Sequence, residues 1–233
     1  MTDTEIIIAE LSALGGEEKA RHLARFFKTG KGQYGEGDRF LGLPVPLTRG
    51  VARRHKDASL AAVEALLQSE WHEARLCALL IMAEKMKRAT AEEAGLIYKT
   101  YLANTRRINN WDLVDLSAPH VVGKYLADKP RGVLYELAAS PLLWDNRIAI
   151  VSPFAFIKAK DLDDTFRLAL LLTGHTNDLM HKAVGWMRRE AGKRDMARLR
   201  QFVLDHVHQM PRTMLRYAIE KFPEDERRAV LKM

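Results

Sequence analysis

The sequence is poor in cysteine, in β-branched alternation and in long apolar runs, and each shortage removes a class of protein. One cysteine, Cys77, in the apolar run Leu76-Cys77-Ala78-Leu79-Leu80, excludes an internal disulfide framework and a multi-cysteine metal cage. That thiol is expected to be buried and inert. Alternating β-branched stretches are nearly absent, so the expected class is all-α. No apolar segment is long enough to span a bilayer, and Met1-Thr2-Asp3-Thr4-Glu5 lacks the basic start of a signal peptide, so the expected location is cytoplasmic. Histidines at zinc spacing are missing too: His206 and His208 flank Val207 without a convergent acid, and His72-Glu73 lacks further ligands. Neither a metal nor a cofactor is expected.

What the chain has in plenty is positive charge and amphipathic helix. Of its 233 residues 47% are hydrophobic, enough for a sizeable core, and 37 Lys and Arg against 30 Asp and Glu give a formal net charge of +7. Such a balance favours a polyanionic partner, because neutralised phosphates release counterions. Nucleic acid is the first candidate. Helices are predicted over 4–14 and 17–29, stopped by Gly15-Gly16 and Gly30. In the second, Phe26 is expected in the core, with a groove as the alternative. Residues 30–39 are glycine-rich but precede Phe40-Leu41-Gly42-Leu43-Pro44 instead of a Gly-Lys-Ser/Thr helix start, so they form no phosphate-cradling loop. Pro46 then opens a short basic helix ending near Lys56, and Ser59 caps one running through Ser69.

The organising stretch runs from Asn109 to Pro119. Asn110 can cap a helix, and Asp112 then lies in the first turn, where negative charge complements exposed amides. Asp115 lies one turn further in, so capping does not explain it. Trp111 and Asp115 are four residues apart, which puts their Cβ atoms roughly 5–6 Å from each other on one face. Leu113 and Leu116 belong to the stripe expected to face the core.

The stripe recurs. Arg75, Trp111, Arg147 and Lys182 fall in register at offsets of 36, 36 and 35 residues, each at or near a predicted helix start, with a looser copy from Arg216. Partner helices are predicted at about 90–104, 130–140 and 161–173, started by Thr90, Pro130 and Asp161. Two helices per period of this length predict an α-α superhelix, a HEAT-like repeat solenoid whose second helices line a concave surface, here a basic groove. The expected organisation is one domain over 1–233, with capping helices and the glycine-rich loop in 1–56 and helical-pair repeats in 57–233. The fourth residue after each anchor is Leu79, Asp115, Val151 or Trp186, so a carboxylate stands at one place where a packing residue is expected. With the anchor stripe in the groove, Trp111, Asp115, Arg147 and Trp186 are expected to converge.

An aromatic pair around a lone carboxylate suits one kind of bond cleavage. Ordinary glycoside hydrolysis needs an acid for the leaving oxygen as well as a carboxylate. A purine alkylated at N3 or N7 is already cationic and leaves as a neutral base, so one carboxylate can stabilise the charge passing to the sugar and orient water. Aromatic faces add cation–π stabilisation of about 0.5–2 kcal/mol each, and Arg147 would hold a backbone phosphate. The basic residues Lys158, Lys160, Lys182, Arg188, Arg189, Lys193 and Arg194 are expected to grip a duplex, although each taken singly equally suits a solvated face. Trp71 and Trp144, near helix starts, suit packing.

Several ordered motifs resemble the AlkD-like DNA alkylation repair family of HEAT-like monofunctional DNA glycosylases. They are Arg25-Phe26-Phe27-Lys28-Thr29-Gly30, Tyr34-Gly35-Glu36-Gly37-Asp38, Phe40-Leu41-Gly42, Trp111-Asp112-Leu113-Val114-Asp115, Asn146-Arg147 and Lys182 through Glu190. The resemblance implies excision of cationic N3- and N7-alkylpurines from double-stranded DNA, without metal or cofactor; a monomer is expected, nucleoid-associated when bound. It also implies that the lesion need not be flipped into a pocket. By the same resemblance Asp115 is the catalytic carboxylate, Trp111 and Trp186 are the indoles along the deoxyribose, and Arg147 is the phosphate contact. Phe26 becomes a lesion-proximal candidate, and stands where a family member carries tyrosine. The alternative is a non-catalytic scaffold binding DNA or a protein partner, since fold does not settle function. A carboxylate between two indoles favours the enzyme, because a purely binding groove gains nothing from negative charge facing phosphates.

Overall fold

The side-chain caps that the sequence places at Ser59, Thr90 and Asn110 each start a helix. The computed structural model describes all residues from Met1 to Met233 as helices and their connections, in two compact units, Met1–Tyr125 and Leu126–Met233. No helix is long and apolar enough to cross a membrane.

In the first unit, Thr2 and Glu5 form a capping box at the start of α1 (Asp3–Leu14), and α2 (Glu17–Phe26) comes after the Gly15-Gly16 break. After the glycine-rich stretch come α3 (Val45–Arg54) and α4 (Leu60–Leu67), the latter capped by Ser59 as expected. Next are α5 (His72–Met86), α6 (Ala91–Ala103) with its Thr90/Glu93 capping box, and the short α7 (Trp111–Asp115), capped by Asn110. A π turn over Pro119–Gly123 closes the unit. Helix α5 is the core: α3, α4 and α1 all pack on it, and its middle, from Leu76 to Met82, is buried on every side, Cys77 included. The amino-terminal helices join this core directly, α1 packing on α4 and α5 and α3 on α5.

The first turn of α5 carries polar side chains into this apolar core, and buried polar groups need partners. The Glu73 carboxylate accepts from the amides of Leu41, Gly42 and Leu43 at 2.9, 2.8 and 3.1 Å. It thereby pins the segment leading into α3. Gly42 fits because its φ is +90° and a Cβ there would lie 2.2 Å from the carbonyl oxygen of Gly16. Glu73→Ala is expected to destabilise the fold by roughly 2–4 kcal/mol, since three amides lose a charged acceptor. Glu73→Gln should lose about half of that. Chemical denaturation of the two variants checks both values.

The second unit contains α8 (Gly132–Ala138), α9 (Leu143–Val151), α10 (Phe154–Ile157) and α11 (Asp163–Leu171). Beyond them lie α12 (Asp178–Gly192), α13 (Met196–His206), α14 (Arg212–Ala218) and α15 (Glu224–Val230). Here α12 is central, packing against α14, α9, α13 and α11. The α12–α14 approach requires Gly185, where a Cβ would come within 2.5 Å of the Met214 carbonyl oxygen and the Tyr217 Cβ.

Two sequence expectations change. Neither Pro130 nor Asp161 starts the helix after it: α8 and α11 each begin two residues later, and the Asp161 carboxylate instead pairs with Arg131 at 2.7 Å. The anchors also differ in position, for Trp111 is the first residue of its helix whereas Arg75, Arg147 and Lys182 sit about one turn in. Of the fourth residues after them, Leu79 and Val151 are fully buried, Asp115 and Trp186 only partly.

Candidate active site

A five-residue helix cannot hold its own geometry, because nucleation consumes most of its hydrogen bonds. The position of α7 is therefore set by what surrounds it. Its amino end is capped by Asn110, whose Oδ1 accepts from the Trp111 amide at 2.8 Å. Beneath the cap lies Asp38, the last residue of the Tyr34–Asp38 motif, 8% exposed. Its carboxylate accepts from Arg75 Nη2 at 2.6 Å, His72 Nδ1 at 3.1 Å, Asn109 Nδ2 at 3.1 Å and Asn110 Nδ2 at 3.3 Å. The other ring nitrogen, His72 Nε2, donates to Asp112 Oδ2 at 2.8 Å, while Asp112 Oδ1 accepts from the Leu113 amide at 2.9 Å. Asp112 is thus more than a solvated first-turn charge: it is buried and ion-paired, since the turn that places it beside the amides also aims it at His72.

Burial alone would push the His72 pKa down, but the charge and hydrogen bond of Asp112, then those of Asp38, hold it up at about 9. Burial likewise would raise Asp38, yet the His72 hydrogen bond and the Arg75 guanidinium hold it at about 2. Both shifts are stability statements. The His72 value lies above the ordinary 6.5, so its contribution is complete below about 6.5 and is lost as the pH rises through about 9. The Asp38 value lies below 3.8, so its contribution is present above about 3.8 and is lost as the pH falls through about 2. Stability is expected to decline by something on the order of 3 kcal/mol between pH 6.5 and pH 10. Denaturation midpoints across that range check this, and His72→Gln should flatten the curve.

Above the network stand the aromatics. Trp111 is half-buried; its ring stacks on Phe27 at 5.3 Å, meets Phe26 edge-on at 6.1 Å, and its Nε1 donates to the Tyr34 hydroxyl at 3.4 Å. Phe27, not Phe26, is the core residue: it is 6% exposed and also stacks on Phe40 at 5.2 Å, whereas Phe26 is 56% exposed. Adjacent residues on a helix point about 100° apart, so only one of the two phenylalanines can enter the core. The expectation of a core Phe26 is corrected accordingly. Of the two leucines assigned to the core, Leu113 is fully buried and Leu116 only partly. A cavity of about 370 Å³ opens here, lined by Leu23, Phe26, Phe27, Phe40, Leu43, Pro44, Val45, Leu76 and Leu116 together with Trp111, His72 and the carboxylates of Glu73, Asp112 and Asp115. Trp111 and Asp115 therefore share one largely apolar wall, as their spacing predicts.

In the second unit Trp186 is half-buried on α12, with Phe154 at 5.8 Å and Lys158 Nζ 5.9 Å from the Phe154 ring. Arg147 is 5% exposed, and its Nη1 donates to the Leu179 carbonyl at 2.7 Å. Lys158, Lys160, Lys193 and Arg194 are exposed; Lys193 pairs with Glu190 at 2.8 Å, Lys182 with Asp178 at 2.7 Å, and Arg189 with Glu220. Arg188, like Arg147, is buried among the expected phosphate contacts. It is fully buried, donating to the Ala169 carbonyl at 2.8 Å, the Thr173 hydroxyl at 2.7 Å and the Met214 sulfur at 3.0 Å. Its place on the inward stripe of α12 leaves it no exposed surface.

Sequence reasoning missed Asp38, His72 and Phe154. The signal for the first two was available, since His72, Glu73 and Arg75 head a helix too apolar to face water and so required buried partners.

Fold and site together define a class: a basic all-α protein of paired helices that carries a carboxylate and a tryptophan on an aromatic cavity. Residues 7–222 match the family described as DNA alkylation repair enzyme, and the chain belongs to that family. Among solved structures it is similar to one described as a predicted DNA alkylation repair enzyme from Enterococcus faecalis, with a TM-score of 0.69 at 16% identity, covering 90% of this chain and 97% of that one. At that identity the likeness is one of fold. Curated protein sequences give no match.

Proposed function

We propose that this protein is a monofunctional DNA glycosylase that hydrolyses the N-glycosidic bond of cationic N3- and N7-alkylated purines in duplex DNA. The observation that carries the reading is the shared cavity wall of Trp111 and Asp115, an indole and a carboxylate in surroundings otherwise dominated by aromatic and aliphatic side chains. In such surroundings a carboxylate interacts strongly with developing positive charge, because little water competes.

As the bond to a cationic base lengthens, positive charge moves from the purine to the deoxyribose and the base departs neutral. Asp115 stabilises that oxocarbenium-like sugar and orients the attacking water, whose proton it accepts. No general acid is required. Trp111 lies against the sugar and lesion, contributing cation–π attraction of about 0.5–2 kcal/mol, and Phe26 offers an exposed aromatic edge beside it. Trp186 is assigned the second indole. Arg147, Lys158, Lys182, Arg189 and Lys193 are assigned to phosphates, which position the duplex without reading its sequence. The proposed chemistry needs no metal or cofactor, and a monomer acting on cytoplasmic, nucleoid DNA suffices for it.

The test is to incubate the purified protein with duplex DNA containing 7-methylguanine or 3-methyladenine and to assay free base by chromatography. Release of free base with an abasic strand left intact supports the reading. Duplex binding with no release at high protein concentration would replace it with a non-catalytic scaffold.

A further inference from the structure

Asp115 and Trp111 ride on a helix of one and a half turns, so any precision in their placement must come from outside it. Three segments meet at the amino end of that helix. The glycine-rich stretch contributes Asp38, α5 contributes His72 and Arg75, and α7 with its approach contributes Asn109, Asn110 and Asp112. The His72 ring is the keystone. It is 2% exposed, lies 5.0 Å from Phe27 and 4.6 Å from Phe40, and joins two carboxylates through its two nitrogens.

Apolar residues would stabilise this junction at least as well, because desolvating a buried ion pair costs about as much as the pairing returns. What the ionic bridge adds is direction. Each nitrogen–oxygen bond favours an angle as well as a distance, so a ring held by Asp38 on one side directs Asp112 and the start of α7 on the other. The charges also close on themselves: Asp38 and Asp112 are matched by His72 and Arg75, so the bridge leaves no net charge of its own beside the cavity.

We propose that the Asp38–His72–Asp112 bridge is a positioning device for base excision, orienting α7 so that Trp111 and Asp115 meet the scissile nucleotide. The inference rests on the glycosylase reading and extends it to residues that touch no substrate. Misplacing a catalytic group by about 1 Å can cost on the order of 100-fold in rate, so the bridge acts on turnover and leaves duplex affinity alone.

The experiment uses His72→Gln, Asp38→Asn and the double variant, with Asn109→Ala as a milder change that removes one hydrogen bond to Asp38. Single-turnover release of 7-methylguanine, the Kd for undamaged duplex, and the indole N–H resonance of Trp111, assigned by Trp111→Phe, are measured on variants with a native circular dichroism spectrum. The expected result is a rate lowered about 10–100-fold in His72→Gln and Asp38→Asn, with Kd within about twofold because no phosphate contact is touched. The Trp111 resonance should shift or broaden while that of Trp186 stays in place, and the double variant should be no slower than the slower single one, since both break one bridge. Should the two larger changes prevent folding, Asn109→Ala carries the test, with a rate lowered about threefold and the same Trp111 shift. Folded variants with wild-type rate and an unmoved Trp111 resonance overturn the proposal, as does a loss carried by Kd. If the wild-type protein releases no base, the glycosylase reading fails; the bridge is then judged on the Trp111 resonance, and an unmoved signal overturns it as well.

Discussion

Asp115→Asn is expected to slow release of 7-methylguanine from alkylated duplex by roughly 10²–10³-fold, the loss typical when one electrostatic stabiliser of a transition state is removed. Asparagine keeps the size and most of the hydrogen bonding of aspartate but not the charge, so the variant isolates the contribution of the carboxylate. Affinity for the duplex should hold or rise, because a negative group facing phosphates is lost. A steric or packing role for Asp115 predicts the reverse, little change in rate with some loss of stability. Single-turnover kinetics beside a binding isotherm separate the two, and an unchanged rate removes Asp115 from the chemistry.

The second large effect is on stability. Arg188 is wholly enclosed, its guanidinium 4.6 Å from the Phe202 ring, with a carbonyl, a hydroxyl and a thioether as acceptors and no carboxylate among them. Burial pushes its pKa down to about 9, which still leaves it charged at neutral pH. Arg188→Ala should cost about 3–5 kcal/mol, since it opens a cavity and leaves the Ala169 carbonyl and Thr173 hydroxyl short of a donor. Arg188→Met should cost less than about 2 kcal/mol, because the thioether chain refills the space and the desolvated charge disappears. Denaturant titrations read both. The methionine variant also tests the placement of Arg188: the salt dependence of DNA binding should be unchanged, where loss of a real phosphate contact would lower the slope by about one.

The contrast between Arg188 and Phe26 shows what periodicity can and cannot settle. Phe26 was expected in the core and is exposed, and Arg188 was expected to face a duplex and is buried. A stripe gives the direction of a side chain relative to its own helix, not what the neighbouring helix brings opposite it. For Phe26 and Phe27 the choice between two adjacent rings fell to Phe40 and His72, contributed by other segments. For Arg188 it fell to Ala169, Thr173 and Met214. The shared face of Asp115 and Trp111 was legible because their spacing of four is local, whereas the placement of α7 itself depends on its surroundings.

Local information thus determined the helical class, the caps at Thr90, Asn110 and Ser59, the glycine breaks, and the pairing of an indole with a carboxylate on one face. These depend on hydrogen bonds and side-chain spacing within a few residues of one another. Tertiary structure alone decided that His72 would bridge Asp38 and Asp112, that Glu73 would gather the amides of Leu41, Gly42 and Leu43, and which cations would stay in water. The first two of those outcomes join groups thirty or more residues apart, and a buried charge takes whichever partner the packed core presents to it.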